Sequence, residues 1–228
     1  MNQCIASAVV SRVIRFRAPL ATLMAVGVVV LSACGGGSSA GSPVVVNSPP
    51  SQSAFRGAVV SPGVQLPSVT LADTAGRPWN LAAKARGRLT AIYFGYTHCP
   101  DVCPTDMADL ASARRSLSPE LRAKIDIVFI TVDLKRDTPA VLRTWLDRFD
   151  PSLVGLTGTT AQLAAAASAL HVPYRATTTA KGLEQVEHGS QMTAFTRDGV
   201  SRLIWLDGTA VGDIANDMRL LASGEVPA

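Results

Sequence analysis

Cys99 and Cys103 are the residues on which chemistry can be built. They lie in Tyr93-Phe94-Gly95-Tyr96-Thr97-His98-Cys99-Pro100-Asp101-Val102-Cys103-Pro104, between an apolar run and a segment with helical spacing. At i and i+4 of a helical turn, two side chains stand roughly 5–6 Å apart at Cβ. Unpaired N–H groups at a helix amino terminus favour the thiolate, the form that binds metal or attacks a disulfide. Two thiolates suit Cu(I), with Zn(II) as a rival, and leave room for a third ligand. Dithiol oxidoreductases of the C-x2-C kind carry one fewer intervening residue. Three histidines could supply a nitrogen: His98, His171 and His188. Spacing alone does not choose among them, because exposed or hydrogen-bonded histidines are common. His98 adjoins Cys99, where joint coordination with both sulfurs is awkward, and reads as a turn residue. His171 follows an Ala-rich helix and reads as its cap or as solvent-facing.

The elements that must hold these groups alternate. Leu89 to Phe94 and Ile125 to Val132 are apolar runs of the kind expected for strands buried on both faces. Pro104 to Leu117 has helical spacing in Met107, Leu110 and Leu117. Thr138-Pro139 opens another helix, with proline where its missing N–H costs nothing. Val154 to Leu156 reads as a short strand, and Thr160 as the cap of a helix running to Leu170. Thr193 to Thr196 and Ser201 to Leu206 pair across Asp198-Gly199, and Val211 to Ala222 closes the chain as an amphipathic helix. Val69 to Trp79 adds an amino-terminal hairpin. This order predicts an α/β fold with a mixed central sheet flanked by helices. Trp79, Trp145 and Trp205 read as core or core-edge residues. Arg114-Arg115 reads as a solvated helix face, and Asp133 and Asp137 as candidates to hold their segment near the cysteines.

The flanking sequence addresses location. Arg12, Arg15 and Arg17 precede an apolar run from Ala18 to Leu31 and the small pair Ser32-Ala33, which is the pattern of a secretory signal; a retained anchor is the alternative. Leu31-Ser32-Ala33-Cys34 resembles the bacterial lipobox, in which cleavage precedes a lipidated cysteine. Removing residues 1–33 takes away three arginines and no acid, so the formal charge falls from +4 to +1. No clustered basic surface remains to serve a nucleic-acid partner. Residues 34–56, rich in Gly, Ser and Pro, read as a flexible membrane tether, and 57–228 as one domain. With Cys4 in the signal and Cys34 lipidated, one cysteine pair is left. That is too few for a disulfide scaffold and suits redox or metal work.

The cysteine segment through Thr105 resembles the Sco/SenC signature, and two further blocks agree: Thr131-Val132-Asp133-Leu134-Lys135-Arg136-Asp137-Thr138-Pro139 and Gly155-Leu156-Thr157-Gly158. The resemblance covers nearly all of residues 57–222. It implies a thioredoxin-like fold and one copper ion, Cu(I) or Cu(II), bound by two cysteines and a histidine in a V-[DE]-H context. Those roles fall on Cys99, Cys103 and His188. Leu134 stands where the family usually has Pro, and Gly189 where Ser is usual.

The resemblance implies a metallochaperone serving the binuclear copper centre of cytochrome c oxidase subunit II or another copper client. An upstream periplasmic copper donor would load it, and a lipid on Cys34 would anchor it in a bacterial cell envelope. The alternative is an extracytoplasmic thiol–disulfide oxidoreductase with Cys99 and Cys103 as its redox pair. Glu187 to Thr193 lacks the proline that thioredoxins place before the strand facing their cysteines, which disfavours that reading. A peroxidase is set aside because Tyr93 to His98 contains no proline.

Overall fold

In the computed structural model, residues 45–47, 54–178 and 184–227 are described, with the side chains of 45–47, 174–178 and 184–188 outside that description. All of them belong to one compact unit, Ser42–Ala228. Residues 1–33, Cys34 and most of the tether lie outside the described residues.

The chain runs β1 (Val45–Asn47), β2 (Ala58–Ser61), β3 (Thr70–Asp73), β4 (Pro78–Asn80), α1 (Leu81–Ala85), β5 (Leu89–Gly95), α2 (Val102–Arg115), α3 (Pro119–Arg122) and β6 (Ile125–Thr131). It continues through α4 (Pro139–Leu146), β7 (Val154–Thr157), α5 (Thr160–Ala169), β8 (Tyr174–Thr178), β9 (Glu184–His188), β10 (Met192–Phe195), β11 (Ser201–Trp205) and α6 (Val211–Ser223). Nine strands form one sheet in the order β1-β2-β11-β10-β5-β6-β7-β3-β4, and β8 and β9 form a separate two-stranded sheet. β5, β6 and β7 are parallel, and the remaining pairs in the large sheet are antiparallel.

Successive side chains of a strand alternate between faces, and the central strands are apolar on both. Leu89, Ala91 and Tyr93 of β5 and Ile125, Ile127 and Phe129 of β6 pack with Met107 and Leu110 of α2, Leu142 and Trp145 of α4, and Ile214 and Met218 of α6. Ile92, Phe94, Val128 and Ile130 face the other way, onto Leu81 of α1 and Leu163 and Ala166 of α5. Both predicted buried strands are therefore present, each with a helical layer on either side.

Several expectations need correction. α5 is capped by Thr159 rather than Thr160, through a capping box in which the Gln162 side chain returns to the Thr159 N–H. Arg115 is exposed, as expected of a solvated face, but Arg114 is not. Arg114 bonds Asp150, Ser152 and the carbonyls of Arg122 and Ile125, and Arg115 bonds the Phe149 carbonyl. Together they tie α2 to its neighbours, because long side chains can bury their stems while keeping polar tips satisfied. Val45–Asn47, within the segment read as tether, pairs with β2. The chain enters the sheet beneath the buried carboxylate of Asp217, which accepts from the N–H groups of Arg56 and Gly57 and from the Trp205 indole. No helix among the described residues is long and apolar enough to cross a membrane.

Candidate metal centre

β5 ends where β6 still pairs with it: the Val132 N–H donates to the Gly95 carbonyl at 2.8 Å. Gly95 is required there, since a Cβ would meet the Tyr93 ring at 2.8 Å and the Phe129 ring at 2.9 Å. The chain then turns, with the Cys99 N–H bonding back to the Tyr96 carbonyl. α2 starts three residues beyond Cys99, with Asp101 at the N-cap position but making no side-chain cap bond.

The turn is held from below by Asp137, which is buried. Its carboxylate accepts from the Thr97 N–H at 2.9 Å, the Thr97 hydroxyl at 2.6 Å and the Thr131 hydroxyl at 2.6 Å. Buried carboxylates persist only with such donors. Asp133, also buried, pairs with Arg136, whose guanidinium lies 5.7 Å from the centre of the Tyr96 ring. Asp137 of the second block thus holds the cysteine turn, while the side chain of Asp133 bonds Arg136 within its own loop.

The two cysteines are not joined in a disulfide, and Cys99 is partly exposed while Cys103 is fully buried. The Cys103 N–H, in the first turn of α2, points at the Cys99 sulfur at 3.4 Å. Cys103 thus lies in the first turn of α2 and Cys99 in the coil before it, so the spacing does not put both in one helical turn; the Cys103 N–H links them instead. Burial pushes the Cys103 thiol up to about 12, with a contribution from Cys99. At neutral pH Cys103 keeps its proton until something replaces it.

The histidines fare differently. His98 is half exposed, with Nδ1 3.0 Å from the Thr97 hydroxyl and 3.6 Å from Asp137. His171 is exposed at φ 52°, just past the end of α5. His188 ends β9 opposite Tyr174 of β8; its side chain is outside the described residues. The backbone gives its position along the chain. β10 is antiparallel to β5, with Thr193 opposite Ile92, so the residues between His188 and Met192 enter the sheet at the end of β5 that carries the cysteines. Among the described residues, no three His, Cys, Asp or Glu side chains form a metal cage.

Two groups beside Cys103 escaped the sequence reading. The Tyr93 hydroxyl lies against Cys103 and Asp106, and its titration is driven up, first by burial and then by those two neighbours. Asp106, one turn beyond Cys103, has no exposed surface, and neither carboxyl oxygen has a hydrogen-bond partner of ordinary geometry. Burial pushes it up to about 6, while Tyr93 pulls the other way. The available signal was its register: Cys103, Met107 and Leu110 mark the buried stripe of α2, and Asp106 falls on that stripe.

The family described as SCO1/SenC matches residues 66–223. A putative copper-binding protein of Stutzerimonas stutzeri is 33% identical over 137 residues, covering 60% of this chain and 67% of that protein. The chain spans less than half the length of the curated SCO2-like and SCO2 relatives it also matches, 44% and 47% in two of them. Bradyrhizobium japonicum ScoI with copper bound superposes with a TM-score of 0.61 at 31% identity, covering 67% of this chain and 96% of that one. BsSco is described with a disulfide switch and as a member of the Sco family of cytochrome c oxidase assembly proteins; it shares the fold at a TM-score of 0.57 and 19% identity, covering 72% and 96%.

Proposed function

The chain belongs to the SCO1/SenC family, and from that premise we propose that it is a copper metallochaperone, with copper as its cargo. Cys99, Cys103 and His188 hold one ion and pass it to the binuclear copper centre of cytochrome c oxidase. The observation that carries this reading is the pair of cysteines at the entry to α2, not joined in a disulfide, one partly exposed and one buried. Soft sulfurs at this spacing favour Cu(I). Relatives of this fold are described with copper bound.

Copper entry displaces the Cys103 proton, because the metal binds the thiolate. Cys99, the more accessible sulfur, meets an incoming or departing ion first. His188 arrives on the ribbon that joins the sheet at the same end. Delivery then proceeds by ligand exchange, the acceptor's groups replacing these one at a time. A lipid on Cys34, with the domain facing the periplasm or extracytoplasmic space of a bacterial cell envelope, belongs to the same proposal.

The asymmetry of the thiols supports a second reading, a thiol–disulfide oxidoreductase. Cys99 would attack a client disulfide, and Cys103 would resolve the mixed disulfide. The client gains two electrons and two protons, Cys99–Cys103 becomes a disulfide, and an external dithiol must restore it. Copper(I) titration of the reduced full-length chain and of His188→Ala separates the two. A chaperone binds one copper per chain and loses affinity in the variant. A reductase keeps its rate of disulfide reduction in the variant, and unchanged copper affinity there would remove His188 from the site.

A further inference from the structure

Beside the cysteine turn, on the α4 side, lies a cavity of about 370 Å³ lined by Thr97, His98, Val141, Thr144, Trp145 and Arg148. That volume is in the range of sites that take a small ligand or an inserted side chain. Its floor is firm. Trp145 is 6% exposed, with its ring centre 5.0 Å from that of Phe129 and 4.8 Å from that of Phe149. Its wall is firm too, because Asp137 grips Thr97 by backbone and hydroxyl. Val141 is 39% exposed, unusual for a large apolar residue of this chain. Arg148 is exposed and makes no ion pair among the described residues, whereas neighbouring Arg143 is engaged with Asp147 and the Leu153 carbonyl.

The other flank of the turn differs in charge. Asp101 is exposed at the start of α2, and beyond it Asp109 and Asp207 act on one another and on Asp106. The turn therefore sits between a cationic, apolar-floored pocket and an acidic surface. Cys103 is buried, so a copper acceptor must approach from the Cys99 side, and Thr97-His98 joins that side directly to the pocket.

We propose that this pocket is the docking site for the copper acceptor, which inserts an apolar side chain over Trp145 and Val141 and sets an adjacent carboxylate against Arg148. The proposal rests on the chaperone reading and adds the partner's chemistry to it. An acceptor docked in the reverse sense would bring its carboxylate against Asp101, so the two flanks also fix orientation.

The direct test is free of copper. N-acetyl-Ile-Asp-Glu-amide is titrated into the full chain while the Trp145 indole and Val141 methyl resonances are followed. Both should shift, with half-saturation in the millimolar range. N-acetyl-Ile-Asn-Gln-amide should bind at least fivefold more weakly, as should the acidic peptide to Arg148→Glu. Unmoved pocket resonances, or an unchanged response in Arg148→Glu, would overturn the proposal. The second arm measures copper transfer to the soluble copper domain of oxidase subunit II. Arg148→Glu should load copper normally yet transfer at least tenfold more slowly at low salt. Lys124→Glu, at the opposite end of β6, should transfer like the parent. Equal rates for parent and Arg148→Glu, or equal slowing by Lys124→Glu, would also overturn it. A parent chain that loads no copper sinks the chaperone reading alone, since the peptide arm needs no metal.

Discussion

The cysteine turn grows out of β5, a strand paired along its length with β6 and on its other side with β10, whereas the strand that ends at His188 pairs with β8 in a ribbon outside the large sheet. The turn is pinned again by the buried Asp137, while at the ribbon's exit the Gly189 N–H donates to the Pro173 carbonyl at 3.0 Å. A two-stranded ribbon has little stability of its own. The contrast suits a protein that must first hold and then release an ion. In the proposed site the sulfurs are preorganised at small entropic cost, and the nitrogen would come from a two-stranded ribbon outside the large sheet.

Substitution on each half tests that contrast most strongly. Cys103→Ser should lower Cu(I) affinity by about 4 kcal/mol or more, roughly a thousandfold. His188→Ala should lower it by less, about 1–3 kcal/mol. Competition with a chelator of known affinity reads both. Equal losses would mean that the two halves are equally organised.

Asp137 probes the firm half alone. Asp137→Ala leaves the Thr97 N–H and two hydroxyls without their acceptor. It should cost about 3 kcal/mol in urea unfolding. A loss below about 1 kcal/mol would show that water replaces the carboxylate and that the turn is not held as described.

Asp106 gives a smaller, pH-dependent effect. Its pKa in the fold is pushed up to about 6, above the ordinary value near 4 in the unfolded chain. The native state therefore binds the extra proton between those values, and its contribution to stability is full below pH 4 and lost as pH rises through about 6. Asp106→Asn should gain about 1–2 kcal/mol over the parent at pH 8 and almost nothing at pH 4. Denaturation midpoints at the two pH values check this, and an equal effect at both would mean that Asp106 finds partners in solution.

The smallest effect is at the ribbon's exit. A Cβ at Gly189 would lie 3.1 Å from Pro173 Cδ, a close contact that a slight shift relieves. Gly189→Ser should change stability by no more than about 0.5 kcal/mol. A thermal scan showing a large loss would make the ribbon far more constrained than its pairing implies.

Much of the frame was legible in the chain. β5, β6, the β10–β11 hairpin and the cysteine helix announce themselves by apolar runs, by Asp198-Gly199 and by helical spacing. The β8–β9 ribbon was missed because Tyr174 to Thr178 and Glu184 to His188 are largely polar and lack the apolar pattern of a buried strand. Arg114 misled because an arginine looks solvated until the carbonyls and carboxylate that receive it are assembled from α3, β6 and the α4–β7 connection.

Residue order alone placed two sulfurs four residues apart between a buried strand and a helix, because an apolar run and helical spacing flank them. It also marked Asp137 as a candidate support, by its place in a recognisable block. Only the tertiary structure decided that Cys103 is buried and Cys99 is not, that Asp106 is buried against the Tyr93 hydroxyl, and that the turn lies between an acidic flank and a cationic pocket. Burial and electrostatic surroundings are properties of what packs around a residue, and those neighbours come from strands and helices far away in the chain.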